Sequence, residues 1–256
     1  MVEFVTLTRK AASEAIGTAF LLATVIGSGI MGDRLSGGNV AIALLANTLA
    51  TGAALVALIL TFGPISGAHF NPAVTLADAS QGGVRWRDVA AYVVAQVVGA
   101  FLGVAAAHLM FGVPLFSVSL RARSGAAQMF SEFVATFGLL SVIWGVTRRR
   151  SDAAPFAVGA YITAAYWFTA STSFANPAVT LARAFSNTFA GIRPADAPGF
   201  ILAQLLGAAT ATFLFRRLAP ALPDSARAVI IQHDDAALLS EKEVKVDGPL
   251  TEREDF

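Results

Sequence analysis

Seven residues in a row, Asn-Pro-Ala-Val-Thr-Leu-Ala, occur twice in this chain, at 71–77 and again at 176–182. Each copy is too short to cross a bilayer, yet each sits among apolar stretches of nearly spanning length. Val40–Phe62 carries no charge, and Ala11–Ile30 carries one, Glu14. Val89–Phe111, Met129–Val146, Ala153–Ala170 and Ala197–Phe215 follow the same pattern, giving six candidate spans. A transmembrane helix needs about 20 apolar residues. The whole chain is only 14% charged, against about 25% in soluble domains, so a soluble core is excluded. A signal-peptide reading of the first stretch fits poorly, because Glu14 interrupts the run and no clean small-residue cleavage site follows.

The repetition extends beyond the seven residues. "SEAIGTAFLL" (13–22) resembles "SEFVATFGLL" (131–140), and "AQVVGAFLG" (95–103) resembles "AQLLGAATA" (203–211). Two repeats, about 10–112 and 128–218, therefore each hold three spans and one short segment. Three is odd, so the second repeat must enter the membrane from the opposite side. Inverted repeats of this kind place sites at the midplane, between the halves. Loop charge sets the orientation. Nine Lys or Arg residues (Arg9, Lys10, Arg85, Arg87, Arg148, Arg149, Arg150, Arg216, Arg217) fall on one side, and four (Arg34, Arg121, Arg123, Arg193) on the other. The richer side is the cytoplasmic one by the positive-inside rule, which puts both termini in the cytoplasm. Residues 1–220 read as one membrane domain of charge +6. Residues 221–256, with nine acidic and four basic residues, read as a solvated, disordered cytoplasmic tail.

The short segments read as helix starts. Asn is a preferred N-cap, and Pro at the first helical position loses no hydrogen bond, because that N–H has no partner anyway. About ten residues at ~1.5 Å each reach roughly half of a ~30 Å hydrocarbon core. Two such half-helices from opposite sides would make one span, with Asn71-Pro72-Ala73 and Asn176-Pro177-Ala178 meeting at the middle. The segments before them, "GPISGAHF" and "ASTSFA", supply non-helical backbone. At that depth such backbone is tolerated only where it is buried or lines a watery cavity. Each Asn spends its oxygen on the cap and keeps its NH₂ as a donor. Two positive helix ends converge on the same point. The combination offers hydrogen bonds to a neutral oxygen and repels cations. A single Asn-Pro-Ala would read as a cap in a loop; two matched copies at equivalent places in inverted halves ask for more.

"SGAHFNPAVTLA" and "SFANPAVTLAR" also resemble the two signature motifs of the aquaporins, or major intrinsic proteins, and the resemblance covers about residues 10–218. It implies an all-α membrane fold of six helices and two re-entrant half-helices, one pore per subunit and a homotetramer. It implies a structural role for Glu14 and Glu132, bracing the two extended loops, and a pore-lining role for His69. Counting from each Asn, it carries the selectivity filter onto Thr51, Ala164, Ser173 and Val179. The chain departs from the family pattern here. Arg usually follows the second motif, and Val179 stands in its place. Water-selective members place Phe and His where Thr51 and Ala164 fall. Four small, uncharged residues imply a wide filter suited to glycerol-like polyols, urea, neutral metalloid hydroxides such as arsenous acid, and water. The pattern is most similar to bacterial aquaglyceroporins, including a subgroup linked to arsenic resistance. Arg183, one turn beyond Val179, either returns positive charge to the outer mouth or makes an ion pair or cap near the surface.

Other signals carry less. "GSGIMG" (27–32) ends a membrane span rather than a strand, so its glycines read as the end of span one and not as a dinucleotide loop. Gly99 and Gly103 read as a small-residue packing pair, His108 as interfacial, and Trp86, Trp144 and Trp167 as interface or packing residues. The absence of cysteine excludes thiolate chemistry. No nucleophile–base set, metal cluster or phosphate loop is present, so neither enzyme, cofactor, metal nor nucleic-acid partner is expected. An ion-coupled transporter would also use inverted repeats, but Asn71 and Asn176 are neutral. A scaffolding protein with a vestigial pore sits badly with short loops and an intact Asn pair. The expected location is the plasma membrane, the inner one in a Gram-negative cell.

Overall fold

A computed structural model describes residues 5–148 and 150–218. The tail expectation at 221–256 lies outside them. The described residues form helices α1 (Leu7–Leu35), α2 (Val40–Ser66), α3 (Pro72–Ser80), α4 (Trp86–Phe111), α5 (Ala126–Thr147), α6 (Ala154–Phe168), α7 (Pro177–Arg183) and α8 (Ala197–Leu218), with two short 3-10 turns and no strand. Five of these helices, α1, α2, α4, α5 and α8, are long and apolar enough to cross a membrane. The sixth expected span, α6, has 15 residues, about 22 Å of helix. It is shorter than the composition suggested, because its chain leaves the helix at Thr169 to form an extended loop.

The internal repeat is written into the packing. α1 packs on α4 and α2, and α5 packs on α8 and α6. The short helices cross over: α3 touches α8, α7 touches α4, and α3 and α7 touch each other. Small residues permit the closest approaches. A Cβ on Gly99 would lie 2.2 Å from the Ala15 carbonyl oxygen, and one on Gly207 would lie 2.5 Å from that of Phe133. The expected end of span one at 27–32 is not observed. α1 runs on to Leu35, and Gly29 and Gly32 instead admit Ala190 and the α2 backbone at Ala43. Trp144 is a packing residue, its indole N–H donating to Thr212 at 3.3 Å, whereas Trp86 and Trp167 are exposed. His108 is fully buried rather than interfacial. One ring nitrogen pairs with Ser186 at 2.8 Å, and the other accepts from the Phe116 N–H at 3.2 Å.

Candidate pore

Both short helices start as their sequence demands. Asn71 accepts from the Ala73 N–H at 2.9 Å, and Asn176 accepts from the N–H groups of Ala178 and Val179 at 3.0 and 3.3 Å. Pro72 and Pro177 occupy the first helical positions, with Ala73 and Ala178 buried behind them. The asparagine amides then tie the halves together reciprocally. Asn71 Nδ2 donates to the Ala175 carbonyl, and Asn176 Nδ2 donates to the Phe70 carbonyl, each at 2.7 Å. One N–H of each amide is thus spent on the opposite loop, and the second remains.

The loops before the caps hold their shape at a cost. Ala68 and Phe70 in the first, and Thr172, Ser173 and Ala175 in the second, have φ between 48° and 62°. A non-glycine residue in this left-handed region costs roughly 1–2 kcal/mol. Two buried carboxylates offset that cost. Glu14 accepts from Ser66 Oγ at 2.7 Å, the His69 and Phe70 N–H groups at 2.9 and 2.7 Å, and Gln96 Nε2 at 2.8 Å. Glu132 accepts from the Phe174 and Ala175 N–H groups at 2.8 and 2.9 Å and from Gln204 Nε2 at 2.6 Å. Gln96 and Gln204 each continue to a motif threonine, Thr75 and Thr180, at 2.8 Å. Neither glutamate appears in the cavity wall.

That cavity runs between the halves. Its volume is about 70 Å³, against roughly 10–15 Å³ on the same measure for one water, which is room for several waters in file or one small solute. Its wall is built from one-face stripes: Leu21 and Val25 of α1; Thr51, Leu55 and Ile59 of α2; Leu139 and Ile143 of α5; and Val158, Ile162 and Tyr166 of α6. Asn71, Asn176, Ser173, Phe174, Val179 and Arg183 are also part of it. His69 also lines the cavity, with Nδ1 3.1 Å from Thr75 Oγ1 and Nε2 3.7 Å from Asp78.

Of the four expected filter residues, Thr51, Ser173 and Val179 are brought together in the cavity wall and Ala164 is not. Ala164 is exposed on the outer side of α6. Two residues of helix turn the chain by about 200°, so when Ile162 and Tyr166 face inward, position 164 faces outward. Tyr166 stands at the wall instead, its hydroxyl donating to Thr51 Oγ1 at 3.3 Å. Arg183 adds a charged side chain to the wall beside these small residues. Arg183 is 1% exposed and makes no ion pair among the described residues; its guanidinium lies 3.3 Å from the centroid of the Phe174 ring, and its Nε donates to the Ala190 carbonyl. The i, i+4 stripes of α2 and α6 were the sequence signal for Tyr166. The lone Arg at the end of the second motif was the signal for Arg183.

Residues 1–173 match the family described as MIP, major intrinsic protein. Aquaglyceroporin AqpS of Rhizobium meliloti (strain 1021) is 58% identical over 218 residues, covering 85% of this chain and 93% of the relative. Aquaporin NIP3-1 of Oryza sativa subsp. japonica is 37% identical over 168 residues, covering 62% of this chain and 52% of the relative. The X-ray structure of the aquaglyceroporin from Plasmodium falciparum superposes with a TM-score of 0.68 at 22% identity, covering 86% of this chain and 99% of that one. The chain is a multi-pass membrane protein and belongs to the major intrinsic protein, or aquaporin, family.

Proposed function

We infer that this chain is a passive channel for small neutral solutes, foremost glycerol-like polyols, with urea, metalloid hydroxides such as arsenous acid, and water as further solutes. The observation that carries the reading is a cavity bordered by both Asn caps with no carboxylate among the described residues of its wall. An ion-coupled transporter would need a carboxylate there to bind a driving cation, and the two buried glutamates are consumed in bracing the loops. Asn71 and Asn176 are the central donors. Thr51, Ser173 and Val179 form the selective stretch, which Val179 keeps open where an arginine would narrow it. The similarity to a relative named aquaglyceroporin supports the polyol class.

The working unit is a homotetramer with one pore per subunit, in the plasma membrane, with both termini cytoplasmic by the loop charge bias. A mainly water-conducting pore is the second reading, favoured by Tyr166 and Arg183 in the wall. Stopped-flow light scattering on proteoliposomes, with water, glycerol, urea and arsenous acid as solutes, separates the two. Glycerol permeation well above that of protein-free vesicles supports the first reading, and water permeation alone supports the second.

A further inference from the structure

We propose that Arg183, rather than the position next to the second motif, supplies the pore's fixed positive charge, and that Arg183 and Ser173 together supply the donors that hold a solute hydroxyl. The inference rests on the channel reading above and names the specificity-determining residues within it.

Arg183 and Ser173 share an uncommon state. Both line the cavity, they are 1% and 2% exposed, and Arg183 Nη1 and Ser173 Oγ have no hydrogen-bond partner. Buried polar groups are normally paired, and an unpaired one is costly. A passing hydroxyl oxygen is the partner that such a pair suits. The neighbouring arginine behaves differently. Arg123 spends Nε on the Gly191 carbonyl at 2.9 Å and Nη1 on the Ser171 carbonyl and Thr172 Oγ1 at 3.0 and 3.2 Å. It clamps the loop and has little left to offer. Arg183 is fixed by Phe174 and Ala190 on other atoms, so its unpaired N–H groups are held rather than floppy. Among the described residues no carboxylate lies within ion-pair distance of it. Its charge is therefore uncompensated at short range. A unit charge ~6 Å away at an effective dielectric of ~20 lowers cation occupancy about a hundredfold. Val179, apolar at the family's arginine position, leaves that task open.

Three variants in full-chain proteoliposomes test the assignment. Arg183→Gln removes the charge, and sodium and proton leak is expected to rise by roughly a hundredfold. Arg183→Lys keeps the charge without the planar fork, so leak stays at the wild-type level while the glycerol-to-water permeability ratio falls several-fold. Ser173→Ala loses one neutral hydrogen bond, about fivefold in that ratio, with no added leak. A purely structural role would lower all fluxes together and leave the ratio and the leak per assembled channel unchanged. That result in Arg183→Lys and Ser173→Ala overturns the inference even if Arg183→Gln does not assemble. A wild type inert to glycerol would overturn the channel reading, and this inference with it. A conducting wild type with unaltered variants overturns this inference alone.

Discussion

Replacing Asn176 with Leu keeps the side-chain size and removes three hydrogen bonds at once. Asn176 accepts from the Ala178 and Val179 N–H groups and donates to Phe70 on the opposite loop at 2.7 Å. The lost cap costs about 1 kcal/mol. The abandoned, buried Phe70 carbonyl adds about 1–3 kcal/mol. The total, roughly 2–4 kcal/mol, corresponds to a drop of about 5–15 °C in thermal midpoint at ~2–4 °C per kcal/mol. The effect on the pore is separate. The remaining amide N–H is gone, and the tie between the two halves is cut on one side. Asn176→Asp separates the two effects. It retains the cap acceptor but cannot donate to Phe70, and it places a negative charge where the positive helix ends converge. Asn176→Leu is expected to melt lower and to conduct less glycerol per assembled channel. Asn176→Asp is expected to melt between Leu and wild type and to gain a sodium leak. Differential scanning fluorimetry in detergent and stopped-flow flux, normalised to reconstituted protein, measure both. An assembled Asn176→Leu variant with wild-type melting and wild-type flux would refute the reasoning and reduce Asn176 to a loop residue.

Three further expectations follow from the same geometry. Val179→Arg adds a second guanidinium one turn from Arg183, with about 3 kcal/mol of repulsion at ~6 Å and an effective dielectric of ~20; it should lower the yield and reduce glycerol or arsenous acid flux more than water flux, and an unchanged solute-to-water ratio would remove Val179 from the constriction. Glu14→Gln turns one acceptor oxygen into an NH₂ that must face the His69 or Phe70 N–H; a loss of about 1.5–3 kcal/mol should appear as a lower melting temperature, and wild-type stability would mean that the loop does not depend on the carboxylate. Tags placed before residue 10 and after Arg217 should both be protected in intact cells, and one protected with one exposed terminus would end the inverted six-helix topology.

The duplicated motif carried most of the fold, because an Asn cap and a first-turn Pro leave a chain few choices once they are buried among apolar spans. The bracing by Glu14 and Glu132 was legible through the family resemblance, and the chemistry agrees with it: a carboxylate inside a bilayer needs donors, and the extended loops have N–H groups to give. What misled was rotation about a helix axis. Counting along the chain reached the right helix at 164 and missed the inward face by two residues, which a 3.6-residue repeat turns into the opposite face. For Arg183 the sequence left two readings open, charge at the pore mouth or a pair or cap near the surface. Its place near the end of a short helix suggested the surface, whereas α7 is buried against α4 and α8 and its last side chain folds onto Phe174. His108 was hidden for a third reason, since its partners Ser186 and Phe116 lie in loops whose paths no local pattern specifies.

The central claim is passive conduction of a neutral polyol, and glycerol flux into proteoliposomes with and without imposed sodium and proton gradients tests it most directly. Glycerol should equilibrate down its own gradient at one rate in every condition, well above the rate in protein-free vesicles. Glycerol uptake that requires an ion gradient, or that accumulates beyond the external concentration, would contradict the account.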